Sequence, residues 1–212
     1  MKLLLKSSIC IVFLMLSLQS EAQKMSYFDS DNNKISKEKY FRKLNNYESY
    51  LVILKNDSTK ILVLRENQGK LKKIKQLLLT VKANIYQPLD VSKNTLIYYY
   101  PGKDLCNSTG SATKKSYKKW YSKLEKKIKR KDSLNIIKIY KDNYGLNAKN
   151  NVNEWDLDPF QIIEKSFFKY HYSCGSFVIV GPNGNYVSYF GEYGHNQVIE
   201  ALKKLKEAQR NY

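Results

Sequence analysis

A chain of 212 residues with 37 Lys and Arg against 19 Asp and Glu, hence a net charge of +18, is long enough to bury a core and too short for several large domains. The charge comes with a general richness in Lys, Asn, Ile and Tyr, and without zinc-finger spacing, an RNP-like aromatic motif or a GxxG loop in a KH context. That excludes the common nucleic-acid modules and favours a solvated, solubility-conferring surface over an anionic partner.

Lys2 and Lys6 precede an apolar run, Ile9 to Leu18, and Ser20-Glu21-Ala22 supplies small residues at −3 and −1 of a signal-peptidase site. The expectation is a signal peptide over 1–22, cut near Ala22-Gln23, and an exported protein, periplasmic or extracellular. The run falls short of the roughly 20 residues a membrane span needs, and no later segment is apolar enough to be one. Of the three cysteines, Cys10 lies in the leader, which leaves Cys106 and Cys174. An even number in an oxidising compartment is what a disulfide requires.

Residues 24–48 are polar and suggest a lead-in with a short helix near Lys37–Leu44. The apolar runs 50–54 and 60–64, separated by Lys55-Asn-Asp-Ser-Thr59, predict a β-hairpin. Leu71, Ile74, Leu77/Leu78 and Val81 recur at helical spacing, and Pro88 marks a break. Beyond it, strand 95–100 meets Pro101-Gly102 and then Cys106, with a long helix expected over 111–130. In that helix Tyr117, Trp120/Tyr121, Leu124 and Ile128 form the buried stripe and the lysines the wet face. A cysteine on such a strand-to-helix loop sits where a helix N-terminus favours the thiolate.

Strand 134–140 follows, then a Gly- and Asn-rich connection. Asp158-Pro159-Phe160-Gln161 predicts a helix start with an Asp cap, proline in the first turn and Gln closing the box. Strands 176–180 and 186–190 flank Asn183-Gly184, a strong hairpin signal. A last helix over 196–209 buries Val198, Ala201, Leu202 and Leu205.

The order over 93–210 is β-α-β-α-β-β-α, whose first half is a parallel βαβ unit. With Cys106 after the first core strand and the rhythm Phe177-Val-Ile-Val-Gly-Pro-Asn-Gly184, this resembles the thioredoxin superfamily. Tyr99-Tyr100-Pro101 leading to Cys106 is also similar to the peroxidatic loop of peroxiredoxins. The resemblance implies an α/β, thioredoxin-like sandwich over 93–212 behind an N-terminal hairpin and helix over 23–92. It also implies that the loop before strand 176 faces Cys106, which would set Cys174 opposite it. The chain departs from the family twice: Cys106-Asn-Ser-Thr109 replaces Cys-x-x-Cys, and Tyr172-Ser-Cys-Gly-Ser176 has no proline.

The leading functional expectation is thiol–disulfide exchange on protein substrates, with Cys106 as nucleophile and Cys174 as resolving partner. Ser108, Thr109 and free N–H groups at the helix start would steady the thiolate, and His171 would act as a base or thiolate partner. The alternative is a non-catalytic binding or scaffold module stapled by a structural Cys106–Cys174 bridge; a weaker third is a binder of anionic polymer or surface. Cys106, Cys174, His171 and His195 lack the close-spaced pairs of structural zinc, so no metal is expected, and no cofactor motif appears. Asp104, Asp156 and Asp158 suggest loop and cap carboxylates without a paired-acid signature. Asn56-Asp-Ser58 and Asn107-Ser-Thr109 match the glycosylation pattern.

Overall fold

A computed structural model describes residues 25–108, 113–130, 132–146 and 152–210. The expected signal peptide over 1–22 and the candidate site residue Thr109 lie outside the described residues.

The fold is mixed α/β with two mixed sheets. The larger has six strands in the order β5-β10-β9-β6-β7-β8: β5 Glu66–Lys70, β6 Thr95–Tyr100, β7 Asn135–Tyr140, β8 Asp156–Leu157, β9 Ser176–Val180 and β10 Asn185–Tyr189. β6 runs parallel to β7 and antiparallel to β9, and β9 and β10 form the hairpin. Every residue of β6 is buried, as expected of a central strand covered on both faces. Leu96, Tyr98 and Tyr100 point to one side, where α4 (Lys114–Lys129) and α6 (His195–Arg210) bury Leu124, Ile128, Val198, Ala201, Leu202 and Leu205. Ile97 and Tyr99 point to the other, against α2 (Ile74–Asn84) and α5 (Ile162–Phe167). The helices thus cover opposite faces of one sheet.

The second sheet has the order β2-β1-β4-β3, from β1 Ser26–Asp29, β2 Lys34–Ile35, β3 Tyr50–Asn56 and β4 Thr59–Leu64. β3 and β4 are the expected hairpin. Along β4, Ile61 and Val63 enter the core shared with α2, whereas Leu62 turns to the opposite face and packs with Ile35 and with Tyr40 of α1 (Lys37–Leu44). This period-2 switch is why one strand serves two layers. β1, which the polar lead-in did not signal, pairs parallel with β4. β5 was also unforeseen, because Glu66-Asn-Gln-Gly-Lys70 has no apolar pattern; it is an edge strand on β10. The Tyr186 ring crosses Gly69, where a Cβ would lie 2.7 Å from its hydroxyl and displace it.

Two local expectations are corrected. The long helix begins at Lys114, with Thr113 and Ser116 forming its capping box, so Cys106 does not stand at its N-terminus. Cys106 instead occupies a separate four-residue helix, α3, Leu105–Ser108. The second correction concerns Asp158. Pro159–Gln161 forms a 3-10 turn in which Phe160 and Gln161 take φ of 58° and 55°, so Gln161 closes no box and α5 starts at Ile162. The Asp158 carboxylate reaches past that turn and accepts from the N–H groups of Ile163 (3.0 Å) and Glu164 (2.9 Å). Burial outweighs these hydrogen bonds and raises its pKa above the ordinary carboxylate value.

The lysine face of α4 is exposed, as expected. Replacing Lys115, Lys118, Lys119 and Lys126 with glutamine is expected to change stability by no more than about 0.5 kcal/mol per site in urea unfolding. A drop of several kcal/mol would assign these lysines a structural part.

Candidate functional site

The two cysteines arrive from opposite ends of the core. Cys106 follows β6 by way of the Pro101-Gly102 turn, and Cys174 lies in the loop that feeds β9, the antiparallel neighbour of β6. Because these strands pair, their adjoining loops meet at one edge. The cysteines form a disulfide with Cα atoms 5.2 Å apart, inside the usual range of about 4.4–6.8 Å. Cys106 is exposed and Cys174 half-buried.

Asp104 organises the junction. Its Oδ1 accepts from the Asn107 N–H (2.8 Å), while Asn107 Oδ1 accepts from the Asp104 N–H (2.9 Å), a reciprocal cap on α3. Asn107 Nδ2 donates to the Gly102 carbonyl (2.8 Å), and the Ser108 hydroxyl donates to the Asp104 carbonyl. Asp104 Oδ2 crosses to the other loop and accepts from the Cys174 N–H at 2.9 Å. Cys174 needs that anchor: its φ of 73° is in the left-handed region, which costs a non-glycine residue about 1 kcal/mol or more. One carboxylate therefore holds both cysteine-bearing segments independently of the sulfur–sulfur bond. The Asn107 N–H is thus spent on Asp104 and the Ser108 hydroxyl on a carbonyl, while Thr109, the other residue expected to steady a Cys106 thiolate, lies outside the described residues.

His171 is half-exposed, in the loop beyond α5, with Nε2 3.5 Å from Asp104 Oδ2. It pairs with the organising carboxylate and lines the same cleft as Cys106. His195 lies elsewhere: its ring sits 4.6 Å from that of Trp120 and its Nε2 3.1 Å from the Trp120 carbonyl oxygen. Asp156 is a buried tether, accepting from the N–H groups of Tyr86 (3.1 Å) and Gln87 (3.2 Å) and fastening the chain just before Pro88 to the sheet.

The group that sequence reasoning missed is Glu192. Its carboxylate and the two sulfurs all lie within 4.8 Å of one another, and among the described residues this is the one cluster of three or more His, Cys, Asp or Glu groups gathered so closely. Glu192 lies on the short turn between β10 and α6. Gly191 N–H donates to Ser176 Oγ (3.2 Å) and Arg65 Nη1 to the Glu192 carbonyl (3.5 Å), so the turn is fixed on both sides. No spacing or periodicity in Gly191-Glu-Tyr-Gly194 announces the contact.

Two clefts meet at the disulfide and Glu192. One, of about 790 Å³, has Cys106 in its wall with Leu51, Ile53 and Ile61 and the cationic Lys169 and Arg65. The other, about 290 Å³, is walled by Tyr117, Trp120, Tyr121 and Tyr193 and reaches Cys174. Its rings are interlocked, Trp120 standing 5.0 Å from Tyr121 and 5.8 Å from Tyr193. Burial pushes the Tyr121 and Tyr193 phenols up.

A carboxylate beside two sulfurs disfavours a thiolate through like charge. In the reduced protein, Glu192→Gln is therefore expected to speed alkylation of Cys106 at pH 7 by roughly threefold. An unchanged or lower rate, followed by mass spectrometry, would remove Glu192 from the electrostatics of the pair.

No protein-family model, no curated protein and no solved structure matches this chain significantly.

Proposed function

We propose that this is an exported, thioredoxin-like protein that carries out thiol–disulfide exchange through Cys106, with Cys174 as the resolving thiol. The strand order β10-β9-β6-β7, with the β6–β7 pair parallel and the other pairs antiparallel, supports the thioredoxin-like reading. Export is supported by the leader-like run 1–22 and by the disulfide itself. No helix among the described residues is long and apolar enough to cross a membrane.

The observation that carries the exchange reading is an exposed disulfide at the meeting point of two clefts, on loops that Asp104 also holds together. Exposed bridges are the labile and catalytic ones, whereas structural bridges resist reduction. In the reductive direction, the Cys106 thiolate attacks one sulfur of a substrate disulfide and expels the other as a thiolate. The Cys174 thiolate then attacks Cys106 Sγ and releases the second substrate thiolate. Two electrons pass to the substrate, which takes up two protons, and the pair is left oxidised. Asp104 keeps the resolving loop in register while the bond between the loops is open.

Equilibration with glutathione buffers tests this. A midpoint in the range of roughly −180 to −250 mV is expected, and one below about −300 mV would overturn exchange in favour of a stapled binding module. That second reading has its own support, since a bridge across 68 positions strongly restricts the unfolded chain.

A further inference from the structure

We propose that reduction of the Cys106–Cys174 bond creates a zinc-binding site, with the two thiolates and the Glu192 carboxylate as ligands and the fourth position open to the cleft. The inference does not rest on the exchange reading; it needs only that the pair can be reduced.

The chemistry of the donor set carries it. Two sulfurs and one carboxylate oxygen suit zinc, whereas calcium and magnesium take six or more oxygens. Zinc binds thiolate sulfur at about 2.3 Å and carboxylate oxygen at about 2.0–2.2 Å, so tetrahedral ligands stand roughly 3.5–4 Å from one another. The three candidate atoms lie within 4.8 Å of one another, and the two sulfurs, being bonded, stand closer than zinc requires. Reduction lets the sulfurs part, and rotation of the exposed Cys106 and Glu192 side chains sets the three ligand atoms around one ion.

The backbone behind the ligands is fixed. Asp104 Oδ2 holds the Cys174 N–H, its Oδ1 caps the helix bearing Cys106, and Arg65 and Ser176 secure the Glu192 turn. Such outer contacts orient ligands and tune affinity. Three anionic ligands around a dication leave one negative charge, and Lys169, Arg65 and His171 line the adjoining cleft.

A phosphine reductant and one water convert the disulfide into two thiols: the phosphine gives up two electrons, the water supplies both protons, and its oxygen leaves on the phosphine oxide. Zinc then replaces the two thiol protons, which leave to solvent, and forms two zinc–sulfur bonds and one zinc–oxygen bond. Oxidised protein offers no thiolate, so the site exists in one redox state only. Zinc also draws the pair toward the reduced form, by about 30 mV for each tenfold excess over its dissociation constant.

The test uses the full mature chain with zinc or cobalt alone and a phosphine reductant that does not compete for metal. Reduced protein is expected to bind one equivalent, with cobalt giving thiolate charge-transfer absorption and tetrahedral visible bands, and oxidised protein to bind none. Glu192→Gln, an exposed change whose folding is checked by its intact disulfide when oxidised, is expected to weaken binding at least tenfold. Cys106→Ser is expected to abolish it. Equal binding by oxidised protein, no charge transfer on reduction, or unchanged affinity in Glu192→Gln would overturn the site. The midpoint potential measured without metal reads the exchange proposal separately. A pair below about −300 mV that still binds zinc when reduced sinks exchange alone, and a pair in the catalytic range that binds none sinks this site alone.

Discussion

If the proposed exchange reaction operates, serine at position 174 is expected to stop it half-way and accumulate a covalent adduct on Cys106, while serine at position 106 yields none. The asymmetry follows from exposure: Cys106 opens to the larger cleft, and Cys174 is half-buried against the aromatic wall. An incoming disulfide therefore meets Cys106 first. With the resolving thiol absent, nothing within the protein displaces the product, and the mixed disulfide persists. Turnover should fall by three orders of magnitude or more in both variants, but only Cys174→Ser should carry the mass of a model peptide or glutathione. Both variants also lose the bridge. Its sequence separation of 68 corresponds to about 4 kcal/mol on the chain-entropy account, so activity must be read well below the lowered melting temperature. Asp104 should keep the two loops together in the variants, which makes Asp104→Ala in the Cys174→Ser background informative. That change frees the Cys174-loop N–H and the α3 cap at once, and it should slow adduct formation without altering which residue carries it. Adduct on Cys174 in the Cys106→Ser protein, or none in either, would reverse the assigned roles or leave the bridge a staple.

What could be read from the residues, and what could not, divides on physical lines. β6, β7, β9 and α6 announced themselves because each buries a continuous or periodic apolar set. The stripe Val198, Ala201, Leu202 and Leu205 is buried in full. The β9–β10 hairpin was equally legible, since Gly184 with φ of 93° supplies a conformation that few residues adopt cheaply. β5 escaped because its pairing is dictated by β10 and not by its own polar side chains, and β1 because it finds β4 from some thirty residues away. The start of α4 was blurred by several Ser and Thr residues, each a plausible cap; Thr113 prevails through Ser116, where a Glu would have been the stronger signal. At the site, the cysteines were visible from their number and context. Asp104 was visible only as a loop carboxylate, although it bridges both loops. Glu192 was not visible at all, because its approach to the sulfurs depends on three loops at one sheet edge, a relation that no local spacing encodes.

Alkali is expected to unfold the protein cooperatively near pH 11–12, ahead of the ionisation of its buried tyrosines. The chain has 18 tyrosines. Burial raises the phenol pKa of Tyr98, Tyr99 and Tyr172 well above the ordinary value of about 10, and that of Tyr100 to about 12. The sign follows from proton counts. Between pH 10 and these elevated values the folded protein keeps protons that the unfolded chain has released, so stability falls as pH rises. Each withheld ionisation contributes about 1.4 kcal/mol per pH unit, and four together about 5 kcal/mol. One or two units above pH 10 thus consume a typical folding stability of 5–15 kcal/mol. Phenolate absorbance near 295 nm should rise sharply at the pH where near-ultraviolet dichroism disappears. Tyr98→Phe should move that transition upward: it removes one such group, and its hydroxyl is buried without a hydrogen-bond partner among the described residues. Because Tyr98 packs on Tyr121 and Tyr193 behind the aromatic cleft, the same titration reports whether that wall is as closed as its packing implies. A gradual, non-cooperative titration of all the tyrosines centred near pH 10, with the fold retained, would mean that water reaches them and that the wall beside Cys174 is open.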